Sequence, residues 1–163
     1  MAISGAEVFL RVLEDEEVEY IFGLPGGPPI SFYDCLSKSK KIKHILVRHE
    51  SCASFMADAY AKSSGKVGVC LATAGPGASN LVIGVATAFT DHIPMVAITG
   101  QISTQYERRN LHDEIDLVEL FQALMSNVQL GIGYAIPCTY IPKPHSTDSI
   151  AKDKNKDEGD RGD

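Results

Sequence analysis

HILVRHESCASFMADAYAKSSGKVGVCLA, residues 44–72, decides the fold. "HILV" reads as an apolar strand, and "ESCASFMADAYAKSSG" reads as an amphipathic helix. Ala53, Met56, Ala57 and Tyr60 are spaced to point inward, and Gly65 supplies the left-handed stop. "VGVCLAT" is then a second strand without polar alternation. A strand–helix–strand unit with unbroken apolar strands buries both strand faces, which is the signature of a parallel sheet covered by helices. At the switch from strand to helix stand three ionisable residues, Arg48, His49 and Glu50.

The same rhythm extends in both directions. "SGAE", from Ser4 to Glu7, has capping-box spacing, with Ser4 able to accept from the N–H three residues on. In the helix it opens, Val8 and Val12 are expected on one face with Phe9 and Leu13. "VEYIFGL" reads as a strand, "PGGPP" as a break and "ISFYDCLSKS" as a helix. Downstream, "AGPG" is a turn, "ASNLVIGVATAF" a buried helix, "PMVAITG" a strand and "DEIDLVELFQ" a helix with an acidic first turn. The expected fold is α/β, a parallel sheet flanked by helices, over residues 1–122. Residues 123–145, interrupted by Gly131, Gly133, Pro137, Pro142 and Pro144, are left unplaced. Residues 146–163 are charged and nearly free of apolar side chains, and are expected to be disordered.

Composition narrows the function. With 44% hydrophobic and 22% charged residues the chain has the balance of a soluble globular protein. A net charge of −6 with no basic stripe argues against nucleic acid as a partner. No apolar run approaches the roughly 20 residues of a membrane span. "MAISGAEVFL" has no basic n-region, so no secretory leader is expected and the location is expected to be cytoplasmic. Cys35, Cys52, Cys70 and Cys138 form no CxxC pair and are expected to be reduced core residues.

In a parallel α/β sheet, ligands gather at the carboxyl ends of the strands. The loops expected on that edge are "GLPGG", "RHE", "TAGPG" and "TGQIS". "TAGPG" lacks the terminal GK[ST] of a P-loop. Gly75 and Gly77 would let backbone approach a flat ring, Pro76 would fix the loop, and Asn80 would orient it from the first helical turn. Glu50 alone reads as an acid at a helix N-terminus.

Taken in order, these loops resemble the N-terminal pyrimidine-binding (PYR) domain of thiamine-diphosphate-dependent enzymes, with the large subunit of acetolactate synthase as the nearest match. The residues carrying the resemblance are "GAEVFLRVLEDEEVEYIFGLPGGPPISFYDCL", "VRHESCASFMADAYAKSSGKVGVCLATAGPGASNLVIGVATAF" and "DHIPMVAITGQI", over about residues 4–122. The resemblance implies that Glu50 is catalytic and hydrogen-bonds a ring nitrogen of the cofactor's aminopyrimidine. There it promotes the imino tautomer that removes the thiazolium proton. Such a carboxyl works best in a dry site, and Ala53, Phe55 and Met56 just downstream would help to make one. It further implies cofactor contacts from Pro25, Gly26, Gly27, Thr73, Gly75, Pro76, Gly77 and Asn80. Gln101, His112 and Asp113 fall on the substrate side or the dimer interface. His49 and Arg48 are expected to be structural or interfacial.

The resemblance also marks departures. Pro28 replaces a small residue, and Ser103 stands where a proline often follows "GQ". "HDE", His112 to Glu114, replaces a phenylalanine–glutamine–glutamate step, which points to a different 2-oxo acid. The Gly-Asp-Gly and asparagine that hold magnesium in the family's pyrophosphate-binding (PP) domain have no match in these 163 residues, and "EGDRGD" lacks the strand context of such a site. No metal ligands are therefore expected here. "LGIGYAIP" is similar to a short stretch of the PP domain. "TYIPKP" only faintly echoes the PYR domain's closing strand, so the sheet can lack its last strand. Two roles remain open. One is the PYR portion of an enzyme of branched-chain amino acid biosynthesis, acting on small 2-oxo acids and inactive without a PP domain, as a homodimer or with a PP-bearing partner chain. The other is a non-catalytic dimerising or regulatory module.

Overall fold

The computed structural model describes residues 3–101, 115–122, 128–130 and 137–140, with the backbone path alone for the last two stretches. The elements in chain order are α1 (Gly5–Asp15), β1 (Tyr20–Gly23), α2 (Ile30–Leu36), β2 (Lys43–Leu46), α3 (Glu50–Ser64) and β3 (Gly68–Ala72). They continue with α4 (Pro76–Ser79), α5 (Val82–Thr90), β4 (Met95–Thr99), α6 (Leu117–Gln122), β5 (Val128–Leu130) and β6 (Pro137–Tyr140). The sheet runs β2-β1-β3-β4-β6-β5. Its first four strands are parallel, as the strand–helix alternation predicts. The unplaced segment adds β5 and β6, and β6 runs antiparallel to β4. The place beside β4 is thus filled, by a strand of opposite direction. The charged tail, 146–163, lies outside the described residues.

The central strands are apolar because both faces are buried. Side chains alternate between two cores. Phe22, Cys70, Ala72, Met95 and Ala97 face α3, α5 and α6. Ile21, Val69, Leu71 and Ile98 face α1 and α2. β2 differs from the expected buried strand. It is the edge strand, and Leu46 is 64% exposed.

Two helix faces are corrected by what presses on them. In α1, Ser4 caps the helix by accepting from the Glu7 N–H, but Leu10 and Leu13 are the buried pair. Val8 and Val12 lie outside, because the packed face is centred one position further round. In α3 the buried stripe is Glu50, Ala53, Ser54, Ala57, Asp58 and Ala61, at i, i+3, i+4, i+7, i+8 and i+11. Met56 is exposed. Small side chains line this stripe because backbone comes close on two sides. A Cβ on Gly68 would strike the Ala57 carbonyl, and one on Gly84 would strike Ser54. Gly65 closes the helix at φ 71°, as expected. The acidic first turn expected for α6 includes residues outside the described set; Asp116 caps the helix, its Oδ1 accepting from the Glu119 N–H at 2.9 Å. The expected core cysteines divide: Cys70 is buried, Cys35 half-buried and Cys52 exposed on α3.

On the α2 side, the His44 ring meets Tyr33 edge-on with centroids 5.1 Å apart. The Tyr33 hydroxyl and His44 Nε2 have no hydrogen-bond partner among the described residues. Burial lowers the His44 pKa below its usual 6.5, opposed by the nearby Gly23 backbone. The unfolded chain therefore takes up this proton at higher pH than the folded one. The His44 contribution is complete above about pH 6.5 and is lost as pH falls below it. Urea midpoints at about pH 7.5 and about pH 5.5 test this. The acid-side drop is expected to shrink in His44→Phe, and an undiminished drop would assign it elsewhere.

Candidate functional site

The strand register brings the loops to one edge. Gly23 at the end of β1 pairs with Leu46 and Leu71, and Ala72 at the end of β3 pairs with Thr99. The chain leaves all four parallel strands at that level. Leu24 N donates to Leu71 O at 3.3 Å, and Gly100 N donates to Ala72 O at 3.0 Å. Pro28 and Pro29 pack on Gly100, where a Cβ would lie 2.9 Å from each. The first loop is thereby held down over the end of β4.

Glu50 sits at the head of the buried α3 stripe and is 8% exposed. Its burial follows from helix periodicity, since it lies i−3 and i−4 from Ala53 and Ser54. Asn80 Nδ2 donates to Glu50 Oε2 at 3.0 Å. Among the described residues, Oε1 makes no hydrogen bond. A Cβ on Gly77 would lie 3.2 Å from Oε1, so the glycine keeps that side of the carboxylate open. His49 is the N-cap of α3, its Nδ1 accepting from Ser51 N at 3.3 Å and lying 2.7 Å from Ser51 Oγ. That is the structural role expected for it, and Arg48 beside it is exposed.

The other expected residues divide by place. Thr73, half-buried, lies between Gly26 and Gly77. Gly75 takes φ 56° and ψ −120°, a conformation that by itself calls for glycine. Pro76 is the first residue of α4, where its missing N–H is harmless. Pro25 and Gly27 are exposed on the first loop, and a Cβ on Gly27 would meet nothing within 4 Å. Phe55 and Met56, expected to help dry the site, are 42% and 38% exposed, and its dry side is the Ala/Ser stripe instead. Gln101 is half-buried and its Nε2 donates to Ile115 O at 3.3 Å, joining the two ends of the segment between them. His112 and Asp113 lie outside the described residues. The Asn80–Glu50 contact is more direct than the loop-orienting role expected of Asn80. Spacing could not show it, since 30 residues separate the two.

Among the described residues no group of three or more His, Cys, Asp or Glu is placed to hold a metal ion. No helix among them is long and apolar enough to cross a membrane. A cavity of about 320 Å3 lies at the opposite edge, where the strands begin. It is lined by Glu16, Glu17, Val18, Glu19, Tyr60, Lys66 and Val67 and shares no residue with the Glu50 site.

The carboxyl ends of the parallel strands thus hold a buried carboxylate, fixed through one oxygen beside glycine-rich loops. That donor set suits a nitrogen heterocycle better than a phosphate. The chain belongs to the thiamine pyrophosphate enzymes, as the N-terminal TPP binding domain of acetolactate synthase-like members, with the match covering residues 3–120. A probable acetolactate synthase large subunit of Methanococcus aeolicus is 50% identical over 136 residues, which are 83% of this chain and 22% of that protein. The acetolactate synthase large subunit of Haemophilus influenzae is 45% identical over 125 residues, 77% of this chain and 22% of that protein. The Escherichia coli isozyme 3 large subunit is 42% identical over the same fractions. The chain thus spans about a fifth of the length of the curated relatives it matches.

Proposed function

We propose that this chain supplies the aminopyrimidine half of the active site of an acetolactate synthase-type enzyme, which decarboxylates one 2-oxo acid and joins the remaining carbons to another. The observation that carries the reading is the buried Glu50 carboxylate, held at Oε2 by Asn80 and, among the described residues, without a hydrogen bond at Oε1 beside Gly77. These residues fit an aminopyrimidine. A carboxyl group in that state can exchange a proton with a ring nitrogen, while the Ala/Ser stripe behind it keeps water away. Thiamine diphosphate, when bound, supplies the carbanion chemistry that side chains lack. Glu50 holds or releases the proton, Asn80 fixes the carboxyl plane, and the first loop and "TAGPG" border the ring. Magnesium and the diphosphate would be held by a PP domain, so these 163 residues alone are expected to be inactive.

Reconstitution tests this. The chain mixed with a PP-bearing partner should release carbon dioxide from pyruvate in the presence of magnesium and thiamine diphosphate, while neither component does so alone. No turnover with any such partner, together with no cofactor binding, would instead favour the non-catalytic module.

The same reading places two copies, or a copy and a partner, around the site in a cytoplasmic enzyme. Its support is apolar surface on α3 and α5, helices that pack on each other: Phe55, Met56 and Ile83 are 42%, 38% and 58% exposed. Sedimentation is expected to show self-association that weakens in Phe55→Glu/Ile83→Glu. A monomer at high concentration would contradict it.

A further inference from the structure

Gly26 and Gly77 look like glycines that admit a ligand, yet both have the same protein neighbour. A Cβ on Gly26 would fall on the Cβ and Oγ1 of Thr73. A Cβ on Gly77 would lie 2.5 Å from Thr73 Cγ2, with Thr73 Cβ further off at 3.6 Å. The Thr73 side chain therefore fills the space that two glycines on different elements leave open. Its hydroxyl side faces the β1–α2 loop and its methyl faces α4. Three residues beyond Gly77 stands Asn80, which holds Glu50.

We infer that Thr73 is a positioning residue, a wedge that sets the gap between the first loop and α4 and so seats Asn80 against Glu50. Gly26 and Gly77 are then requirements of Thr73 before they are requirements of any ligand. Atom by atom this gives an asymmetric rule. Serine in place of threonine removes Cγ2 and keeps Cβ and Oγ1. It removes the 2.5 Å contact of a methyl at position 77, leaving Glu50 Oε1 at 3.2 Å as its nearest neighbour, and leaves the Cβ and Oγ1 contacts at position 26 in place.

The test is a ligand-free set of unfolding measurements on the full chain: Gly77→Ala, Gly26→Ala, Thr73→Ser and the two double variants. Gly77→Ala is expected to destabilise, and Thr73→Ser to restore it with a coupling of about tenfold in the unfolding equilibrium constant. If Gly77→Ala alone does not fold, folding of the double variant is the same result. Gly26→Ala is expected to gain nothing from Thr73→Ser. A neutral Gly77→Ala, a double variant no better than the single, or equal rescue at both positions would overturn the wedge. Its catalytic consequence rests on the proposed role of Glu50 and is read separately. In the assembled enzyme Thr73→Ser should lower kcat several-fold with the cofactor KM unchanged. An unchanged kcat would overturn the positioning role. Coupling without ligand alongside a fully active Glu50→Gln enzyme would leave the wedge standing and remove the Glu50 reading.

Discussion

Glu50→Gln is expected to reduce turnover of the assembled enzyme by about 10²–10⁴-fold, the range for loss of a positioned acid–base group. Glutamine has nearly the same shape, so the α3 stripe stays filled. Its amide oxygen can still accept from Asn80. What it lacks is a proton to exchange with a ring nitrogen. The loss should therefore fall on kcat while the melting temperature and circular dichroism of the isolated chain stay close to wild type. Near wild-type turnover would mean that the buried acid serves the helix alone.

Gly68→Ala should produce the largest loss of stability among the glycine sites. Gly68 is buried at the start of β3, and a Cβ there would overlap the Ala57 carbonyl. A side chain can turn away from a new methyl group, but a helix backbone can yield only by moving α3 off the sheet. Overpacking of this kind costs about 1–3 kcal/mol, and more where the neighbour is rigid. Because α3 carries Glu50, cofactor binding in the assembled enzyme should weaken as well. Gly27→Ala is the control: nothing lies within 4 Å of a Cβ there, and a change within about 0.5 kcal/mol is expected. Urea unfolding of both variants checks the pair, and equal stability would show that α3 is not seated on β3 as described.

The parallel core was legible because apolar runs and helical periods alternate without interruption from Ser4 to Thr99. Burial on both faces removes the polar alternation that would otherwise mark a strand. The position of Glu50 was legible for a related reason: it begins the same 3.6-residue stripe that buries Ala53 and Ala57. Outward and inward were harder to tell apart. Met56 fits a helical stripe as well as Ser54 does, and only the close approaches of Gly68 and Gly84 show that small residues belong inside. Edge position was hidden too, since "HILV" has the composition of a central strand and ends beside a single neighbour. β5 and β6 are three and four residues long, too short for a pattern, and Pro137 argues against a strand except at its start, where it stands. Long-range pairs such as Asn80 with Glu50 leave no trace in spacing, because two separate elements must fold before the residues meet.

The most direct test is a crystal structure of the chain assembled with a PP-bearing partner, magnesium and thiamine diphosphate. Glu50 Oε1 is expected within hydrogen-bond distance of an aminopyrimidine ring nitrogen, with Oε2 still held by Asn80. An aminopyrimidine bound away from Glu50, or a Glu50 carboxylate turned from the ring with both oxygens bonded to protein, would contradict it.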